Sequence, residues 1–540
     1  MKKKKLGIGA QNIQDFSREN MIYVDKTEKI YEMMQLGKHN FIVRPRRFGK
    51  SLLLDTIAAI HEGKREQFKG TWAYDHLDWE AEKRPVLRID FTLVEYNIKS
   101  LAEGLTYYLR SIAKQADIAT EGLGPGELFL SLIQTLGRET PVVILIDEYE
   151  MAVTDFVGTD EEDRLNENIF TLKKFYGTMK GAGRYIHRSY ISGVSKIGKI
   201  GILSDLNMLN DLTLDKRFAT LFGYTETELR HFYADYVTEA AQYYKCSEEE
   251  ILGHIRHHYN GYSWDGIEEN RVYNPFSIVN FFQSFDFRNY WFSTGTPTVL
   301  VRGARRQQIT LEELEHFKTS SDLLQTANLK EFYSIALLFQ AGYLTIKKIE
   351  VFGIHTAYTL GFPNQEVRES FASYLLAEYV EKGWEETEYT LSFKLRSHLQ
   401  HEELAPAFQL FASAIASTGY DITKHTEGYF HTIMHVLMYS TGLTTFSELQ
   451  SAEGRLDTIC TTYKAIYIFE FKLDGTADAA LKQIEDNQYA VPFLHQPKTI
   501  YLVGVNFVST DKRINQILVK KWDGSRFVQI EGNFTPMVER

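Results

Sequence analysis

Val142-Val143-Ile144-Leu145-Ile146-Asp147-Glu148 is an unbroken apolar run closed by two adjacent carboxylates, and its reading decides the fold of the N-terminal part of the chain. A run without polar alternation reads as a strand buried on both faces, the pattern of a parallel sheet. At its end Asp147 is placed to hold the water shell of a Mg²⁺ ion, and Glu148 to polarise an attacking water. Upstream stands Phe48-Gly49-Lys50-Ser51, the partner such a strand has in nucleotide chemistry. Gly49 lets backbone N–H groups approach phosphate oxygens, and Lys50 reaches the β and γ phosphates. The Ser51 hydroxyl ligates Mg²⁺ at the N-terminus of the following helix. ATP and Mg²⁺ are therefore the expected cofactors.

The whole loop reads Arg44-Pro45-Arg46-Arg47-Phe48-Gly49-Lys50-Ser51, with Arg44 where the usual Gly-x-x-x-x-Gly-Lys-Ser/Thr loop begins on glycine. By motif alone this is a degenerate P-loop, and a basic turn that caps a helix is the plainer alternative. The flanks favour the nucleotide reading: Asn40-Phe41-Ile42-Val43 reads as a short buried strand, and Leu52-Leu53-Leu54-Asp55-Thr56-Ile57 opens an apolar helical pattern. Arg46, Arg47, Phe48, Gly49, Lys50, Ser51 and Leu52 are the expected nucleotide-binding residues, together with Asp147. The arginines Arg44, Arg46 and Arg47 serve equally well as partners of their own subunit's phosphates or of acids.

The bulk properties frame this reading. A chain of 540 residues has room for several domains with sizeable cores. Hydrophobic content of 44% with only 11 prolines describes an ordered globular protein without low-complexity linkers. Cys246 and Cys460, the only cysteines, form neither a disulfide framework nor a cysteine zinc site, which fits a reducing cytoplasm. Lys2-Lys3-Lys4-Lys5 is followed by no apolar segment, and no run approaches the length of a membrane span, so no membrane partner is expected. A net charge of −11 argues against a nucleic-acid coat protein, although local basic patches bind phosphate within an acidic whole.

Residues 20 to 220 alternate short apolar strands with helical patterns, the strands being Asn40 to Val43, Pro85 to Phe91, Val142 to Asp147 and Arg188 to Gly193. That predicts an α/β doubly wound sheet of the P-loop class in which another strand separates the two nucleotide motifs. Ser192, and Ser195 beyond it, end the fourth strand where they sense the γ-phosphate or merely cap a turn. From about 225 the text turns to helices rich in Tyr, Phe and His, beginning at Thr225-Glu226-Thr227-Glu228 with capping-box spacing. His254, His257 and His258 share a helix face, where polar packing at a helix end is the default over metal binding. An apolar helix over Phe332 to Gly342, then a hairpin over Tyr343 to Lys348 and His355 to Leu360, resembles a winged-helix unit that touches DNA or packs against the ATPase. The expected domains are 1–224 (P-loop), 225–370 (helical lid and winged-helix-like region) and 371–540.

The last of these carries a second chemical centre. Asp457, in Gly454-Arg455-Leu456-Asp457, is expected to end a short strand, and Glu470 and Lys472 lie two apart on the next, in Tyr467-Ile468-Phe469-Glu470-Phe471-Lys472. Two carboxylates and an ammonium on one face suit a divalent metal that binds a scissile phosphate, with Lys472 orienting the water or stabilising the charged transition state. Glu427, on a helix upstream, supplies a further metal carboxylate, and Gln483 lies on a helix downstream. His431 and His435 share the helix of Glu427, where packing is the default. The expected chemistry is phosphodiester hydrolysis with Mg²⁺, or Mn²⁺, on a nucleic acid, DNA ahead of RNA.

With these residues in hand, the chain resembles the bacterial AAA-ATPase-like proteins that carry a C-terminal PD-(D/E)XK nuclease domain, over nearly its full length. Beyond the motifs above, the likeness rests on Tyr23-Val24-Asp25-Lys26-Thr27, Ser192-Gly193-Val194-Ser195-Lys196, Tyr259-Asn260-Gly261-Tyr262, Tyr273-Asn274-Pro275-Phe276-Ser277, Tyr290-Trp291-Phe292-Ser293-Thr294-Gly295 and Pro363-Asn364-Gln365-Glu366-Val367. The resemblance implies that Arg44 is a family trait, that Asp457, Glu470 and Lys472 occupy the nuclease triad, with Leu456-Asp457 standing for the Pro-Asp half, and that Tyr23 to Thr27 lies near the nucleotide base. It implies a restriction-endonuclease-like α/β fold for the last domain, and, by analogy with archaeal ATPases bearing a nuclease-like domain, nucleotide exchange that switches a conformation. Three readings follow. The first is an ATP-regulated, Mg²⁺-dependent nuclease; the second a nucleotide-dependent switch or scaffold whose nuclease fold binds without cutting; the third a DNA-translocating motor, for which no arginine finger is assignable. A homo-oligomer is left open.

Overall fold

A computed structural model describes residues 3–157, 159–196, 202–203, 209–292, 311–320, 324, 335–353, 355–379, 388–416, 427–451, 454–510, 513–530 and 534. The chain forms two compact units, one of Met1–Gly295 with Phe317–Glu366 and one of Thr296–His316 with Val367–Arg540.

The first unit is built on a five-stranded parallel sheet of β1 (His39–Val43), β2 (Val86–Asp90), β3 (Val142–Asp147), β4 (Ile186–Gly193) and β5 (Leu209–Asp211), in the order β2-β3-β4-β1-β5. Every residue of β1 and β3 is buried, which is why both read as unbroken apolar text. The helices that cover the sheet, among them Lys50–His61, Leu101–Gln115, Pro125–Leu136 and Glu162–Gly181, bury Ile57, Leu105, Leu132 and Phe175 completely. Because the strands run parallel, the loops after β1, β3 and β4 all leave from one edge, where ligands bind in open α/β sheets. The four strands read from the sequence are present. β5 is not legible there, since Leu209-Asn210-Asp211 offers one apolar residue and no alternation.

Helices Glu226–Phe232, Ala234–Tyr244, Glu248–Tyr259 and Pro275–Ser284 follow in the same unit and share a core of Leu229, Ile251, Ile255, Tyr259 and Phe281 with Ile22 and Val24. The Thr225 capping box is formed: Glu228 N donates to the Thr225 hydroxyl (3.3 Å) and Thr225 N to the Glu228 carboxylate (2.8 Å). A ribbon pairs β6 (Tyr224–Thr225) with β7 (Val272–Tyr273). The apolar helix spans Ile335–Ala341, residues 332–334 lying outside the described ones. The hairpin is β9 (Thr345–Phe352) with β10 (His355–Gly361), joined on its far side by β8 (Phe317–Ser320).

The second unit carries a six-stranded sheet of consecutive neighbours: β11 (Thr444–Ser451), β12 (Gly454–Thr461), β13 (Ala465–Leu473), β14 (Thr499–Val508), β15 (Arg513–Trp522) and β16 (Phe527–Gln529). Only β13 and β14 pair in parallel, and the crossover between them contains helix Ala477–Asp486, packed on both strands. Helices Glu388–Gln400, Leu404–Ala416 and Glu427–Ser440 also belong to this unit. No helix among the described residues is long and apolar enough to cross a membrane.

Candidate functional site

At the loop edge of the parallel sheet, β1 and β3 flank β4, whose register sets Ser192 beside Ile42 on one side and aligns Ile191 with Ile146 on the other. Asp147 ends β3 one residue further on. It accepts the Ser51 hydroxyl at 2.6 Å on Oδ2 and the Ser192 hydroxyl at 2.5 Å on Oδ1. The ends of β3 and β4 and the start of helix Lys50–His61 thereby place two hydroxyls on one carboxylate, a set of oxygen donors suited to a hard divalent cation. Gly49 enters the helix at φ +94°, a left-handed conformation that L side chains rarely adopt. The buried Lys50 ammonium donates to the Pro45 carbonyl (3.3 Å) and lies 3.5 Å from Glu148 Oε1. Glu148 sits at φ +50°, a strained backbone of the kind that collects at functional sites.

The rest of the loop divides its labour. Arg46 and Arg47 are exposed, and Ser51 and Leu52 are half-buried at the helix start. Phe48 turns its side chain inward against Tyr262 and Trp264, so its backbone is what faces the loop interior. Trp291 donates its indole N–H to the Arg46 carbonyl at 3.0 Å. Arg44 serves neither phosphate nor an acid through a hydrogen bond. It is fully buried, donates to the carbonyls of Val43 (2.9 Å), Thr213 (2.9 Å) and Phe218 (3.3 Å), and lies over the Trp264 ring at 4.2 Å. Burial pulls its guanidinium down to about 9, with Asp211 opposing. Restoring the usual glycine therefore harms the fold: Arg44→Gly leaves buried carbonyls unpaired and should lower unfolding stability by about 3 kcal/mol in denaturant titrations.

Within Tyr23 to Thr27, Asp25 and Lys26 tie neighbouring segments together. Asp25 accepts from Thr27 N (2.9 Å), the Thr27 hydroxyl (2.7 Å) and Trp72 N (2.7 Å), while Lys26 donates to the Thr220 carbonyl (2.8 Å) and to Glu228 (2.6 Å). Sequence reading missed Glu150, a buried carboxyl behind Glu148 that accepts from Val194 N (2.6 Å) and Ser195 N (2.8 Å). Burial first, then Glu148, pushes it up to about 8. Ser195 is buried, with its carbonyl accepting from the Tyr149 hydroxyl at 2.9 Å.

In the second unit the expected trio meets. Asp457 lies within β12 rather than at its end, because β12 continues its ladder with β11, but it stands just outside the ladder with β13, which begins at Thr458↔Phe469. Its Oδ2 accepts Phe471 N at 2.7 Å, and its carbonyl accepts from His435 Nε2 at 3.2 Å. Glu470 is buried with Oε2 unpartnered among the described residues, and its Oε1 lies 3.3 Å from Lys472 Nζ. Lys472 also donates to Gln483 Oε1 at 2.6 Å, giving Gln483 a place at the site. His431 Nε2 lies 3.7 Å from Asp457 Oδ2, and burial drives His435 down to about 3, a neutral ring.

A divalent cation fits this donor set: two carboxylates face a buried spot where one oxygen has no partner. Glu427 begins helix Glu427–Ser440, and its side chain lies outside the described residues. No group of three or more His, Cys, Asp or Glu among the described residues is arranged to hold a metal by itself. His258, of the earlier trio, is buried against Tyr259 and Phe287, the packing role that was the default.

Burial, with Asp457 next in importance, pushes Glu470 up to about 8, Lys472 opposing. The folded chain thus keeps a proton that the unfolded chain releases near its ordinary carboxyl value. The stability linked to Glu470 is full below that value and is lost as pH rises towards about 8. In chelator, the melting temperature of the parent should fall relative to that of Glu470→Gln between about pH 5 and pH 8. Parallel curves would contradict the assignment.

A parallel α/β unit with paired nucleotide half-motifs, together with a mixed sheet bearing an Asp, Glu-x-Lys constellation, defines an ATPase-like protein fused to a nuclease-like domain. Family models agree: residues 7–203 match the AAA-ATPase-like family, described as a predicted AAA-ATPase, and residues 425–517 match the PD-(D/E)XK nuclease superfamily. An "uncharacterized protein in vnfD 5′ region" of Azotobacter chroococcum mcd 1 is 34% identical over 529 residues, covering 95% of this chain and 98% of its own. The chain belongs to this family of AAA-ATPase-like proteins with a C-terminal PD-(D/E)XK nuclease domain. No solved structure matches it.

Proposed function

We propose that the chain binds and hydrolyses ATP on a P-loop fold and that its C-terminal domain is a Mg²⁺-dependent nuclease whose activity ATP regulates. The observation that carries the nuclease half is Glu470: a buried carboxyl with one oxygen unpartnered, beside Asp457, with Lys472 held between Glu470 and Gln483. A buried carboxyl oxygen without a hydrogen-bond partner, beside a second carboxylate and an ammonium held by Gln483, suits a cation. A bound divalent metal supplies charge to the scissile phosphate and acidity to a water. Asp457 and Glu470 hold it, Lys472 orients the water or stabilises developing charge, and the Phe471 amide fixes the Asp457 carboxylate.

At the nucleotide site β4 lies between β1 and β3, the arrangement of P-loop ATPases that use a glutamate base, which supports Glu148 in that role. Lys50 binds phosphate, Ser51 and Asp147 hold Mg²⁺, and Ser192 reads the γ-phosphate through the carboxylate it shares. The helix Ile335–Ala341 and hairpin that follow complete the winged-helix-like part of the proposed 225–370 region. The test is incubation of labelled single- and double-stranded DNA and RNA with the chain and Mg²⁺ or Mn²⁺. Cleavage absent in Asp457→Ala supports the nuclease reading. Uncut substrates with ATP still hydrolysed favour a nucleotide-dependent switch that binds without cutting.

A further inference from the structure

The turn that follows β4 is held in an unusual way. Three successive amides donate to side chains: Val194 N (2.6 Å) and Ser195 N (2.8 Å) to Glu150 Oε1, and Lys196 N to Gln340 Oε1 (2.7 Å). Gly193 makes the approach feasible, because a Cβ there would stand 2.1 Å from Glu150 Oε2 and 2.7 Å from Tyr149 Cδ1. Glu150 lies on the segment that leaves β3 after Asp147 and Glu148, and Tyr149 between them donates its hydroxyl to the Ser195 carbonyl. The end of β4 is thus tied to the end of β3 by two side chains from the residues next to the proposed base. Ser192, on Asp147, is two residues before the first of the tied amides.

We infer that Glu150 is a positioning residue of the nucleotide site, setting the end of β4, and with it Ser192, against the Asp147–Glu148 carboxylates. The inference rests on the ATPase reading of that site. Glu150 touches no phosphate-binding residue through a hydrogen bond that the site needs for affinity, so its loss acts on turnover: a misplacement of about 1 Å costs roughly a hundredfold in rate. Lys50, the phosphate ligand of that reading, is carried by the helix after β1, where its ammonium donates to the Pro45 carbonyl, and stays in place.

The test is steady-state ATP hydrolysis by the full chain, comparing the parent with Lys50→Ala, Glu150→Ala, Glu150→Gln and Gly193→Ala, each with a thermal melt. Glu150→Ala should lower kcat roughly a hundredfold with KM changed less than about threefold. Glu150→Gln keeps an acceptor oxygen for both amides and should retain most of the parental kcat. Gly193→Ala drives the carboxyl off the turn with Glu150 still present, and should reproduce the kcat loss even if Glu150→Ala does not fold. A folded Glu150→Ala or Gly193→Ala at parental kcat overturns the inference, as does a Glu150→Gln as slow as the slower of these two. Turnover by the parent that Lys50→Ala abolishes keeps the ATPase reading whatever the Glu150 result; no turnover by the parent removes that reading and the inference together.

Discussion

Lys50→Ala should abolish ATP hydrolysis and weaken ATP binding by about a hundredfold or more, while the proposed metal site of the C-terminal domain should keep its affinity. Lys50 is the buried cation of the proposed P-loop, and its ammonium lies between the Pro45 carbonyl and Glu148. On the proposed reading its loss would leave the β and γ phosphates to the loop amides and the exposed Arg46 and Arg47, with the Glu148 and Asp147 carboxylates less opposed. Loss of a charge-assisted contact to phosphate in a largely dehydrated site is worth several times an exposed ion pair, which yields the hundredfold figure. Titration with a fluorescent ATP analogue reads the affinity, and calorimetric titration with Mn²⁺ reads the second site. The two centres lie in different compact units with cores of their own, so the metal isotherm should be that of the parent. An altered isotherm would mean that the centres are not separable.

Glu470→Ala, conversely, should lower nucleic-acid cleavage by about a thousandfold or more and leave ATP hydrolysis within about twofold of the parent. The side chain contributes one of two carboxylates to the proposed metal and the partner that holds Lys472 at 3.3 Å. Removing it leaves Lys472 on Gln483 alone and Asp457 without the neighbour that makes the pair a cation site. Glu470→Gln should be nearly as inactive, because an amide oxygen is a weak substitute for a carboxylate on a hard cation, yet it should be at least as stable as the parent at pH 8. Loss of activity without loss of stability separates a chemical role for Glu470 from a structural one. Cleavage equal to the parent by Glu470→Ala would remove it from the metal site.

Much of this was written in the sequence because burial on both faces leaves strands with no polar alternation. β1 and β3 are legible to within a residue, and the two-residue spacing of Glu470 and Lys472 on β13 is enough to set them on one face. What stayed hidden depended on tertiary partners. Arg44 looks like a phosphate ligand in the text, and only the segment from Thr213 to Phe222, distant in sequence, turns it into an anchor. Phe48 looks like a loop residue until Tyr262 and Trp264 are brought against it. Glu150, in Asp147-Glu148-Tyr149-Glu150, reads as one more surface acid, and its role appears only when the turn after β4 folds back over it. The strands β5 and β8 have too little apolar text to announce themselves, being recruited by the edges of sheets already formed.

The proposed control of the nuclease by nucleotide is measured most directly as the initial rate of nucleic-acid cleavage with and without ATP, in the parent and in Lys50→Ala. Control by nucleotide requires that ATP change the rate in the parent and not in Lys50→Ala, with both rates abolished by adding Asp457→Ala. Cleavage at one rate in all four conditions, still dependent on Asp457, would contradict it.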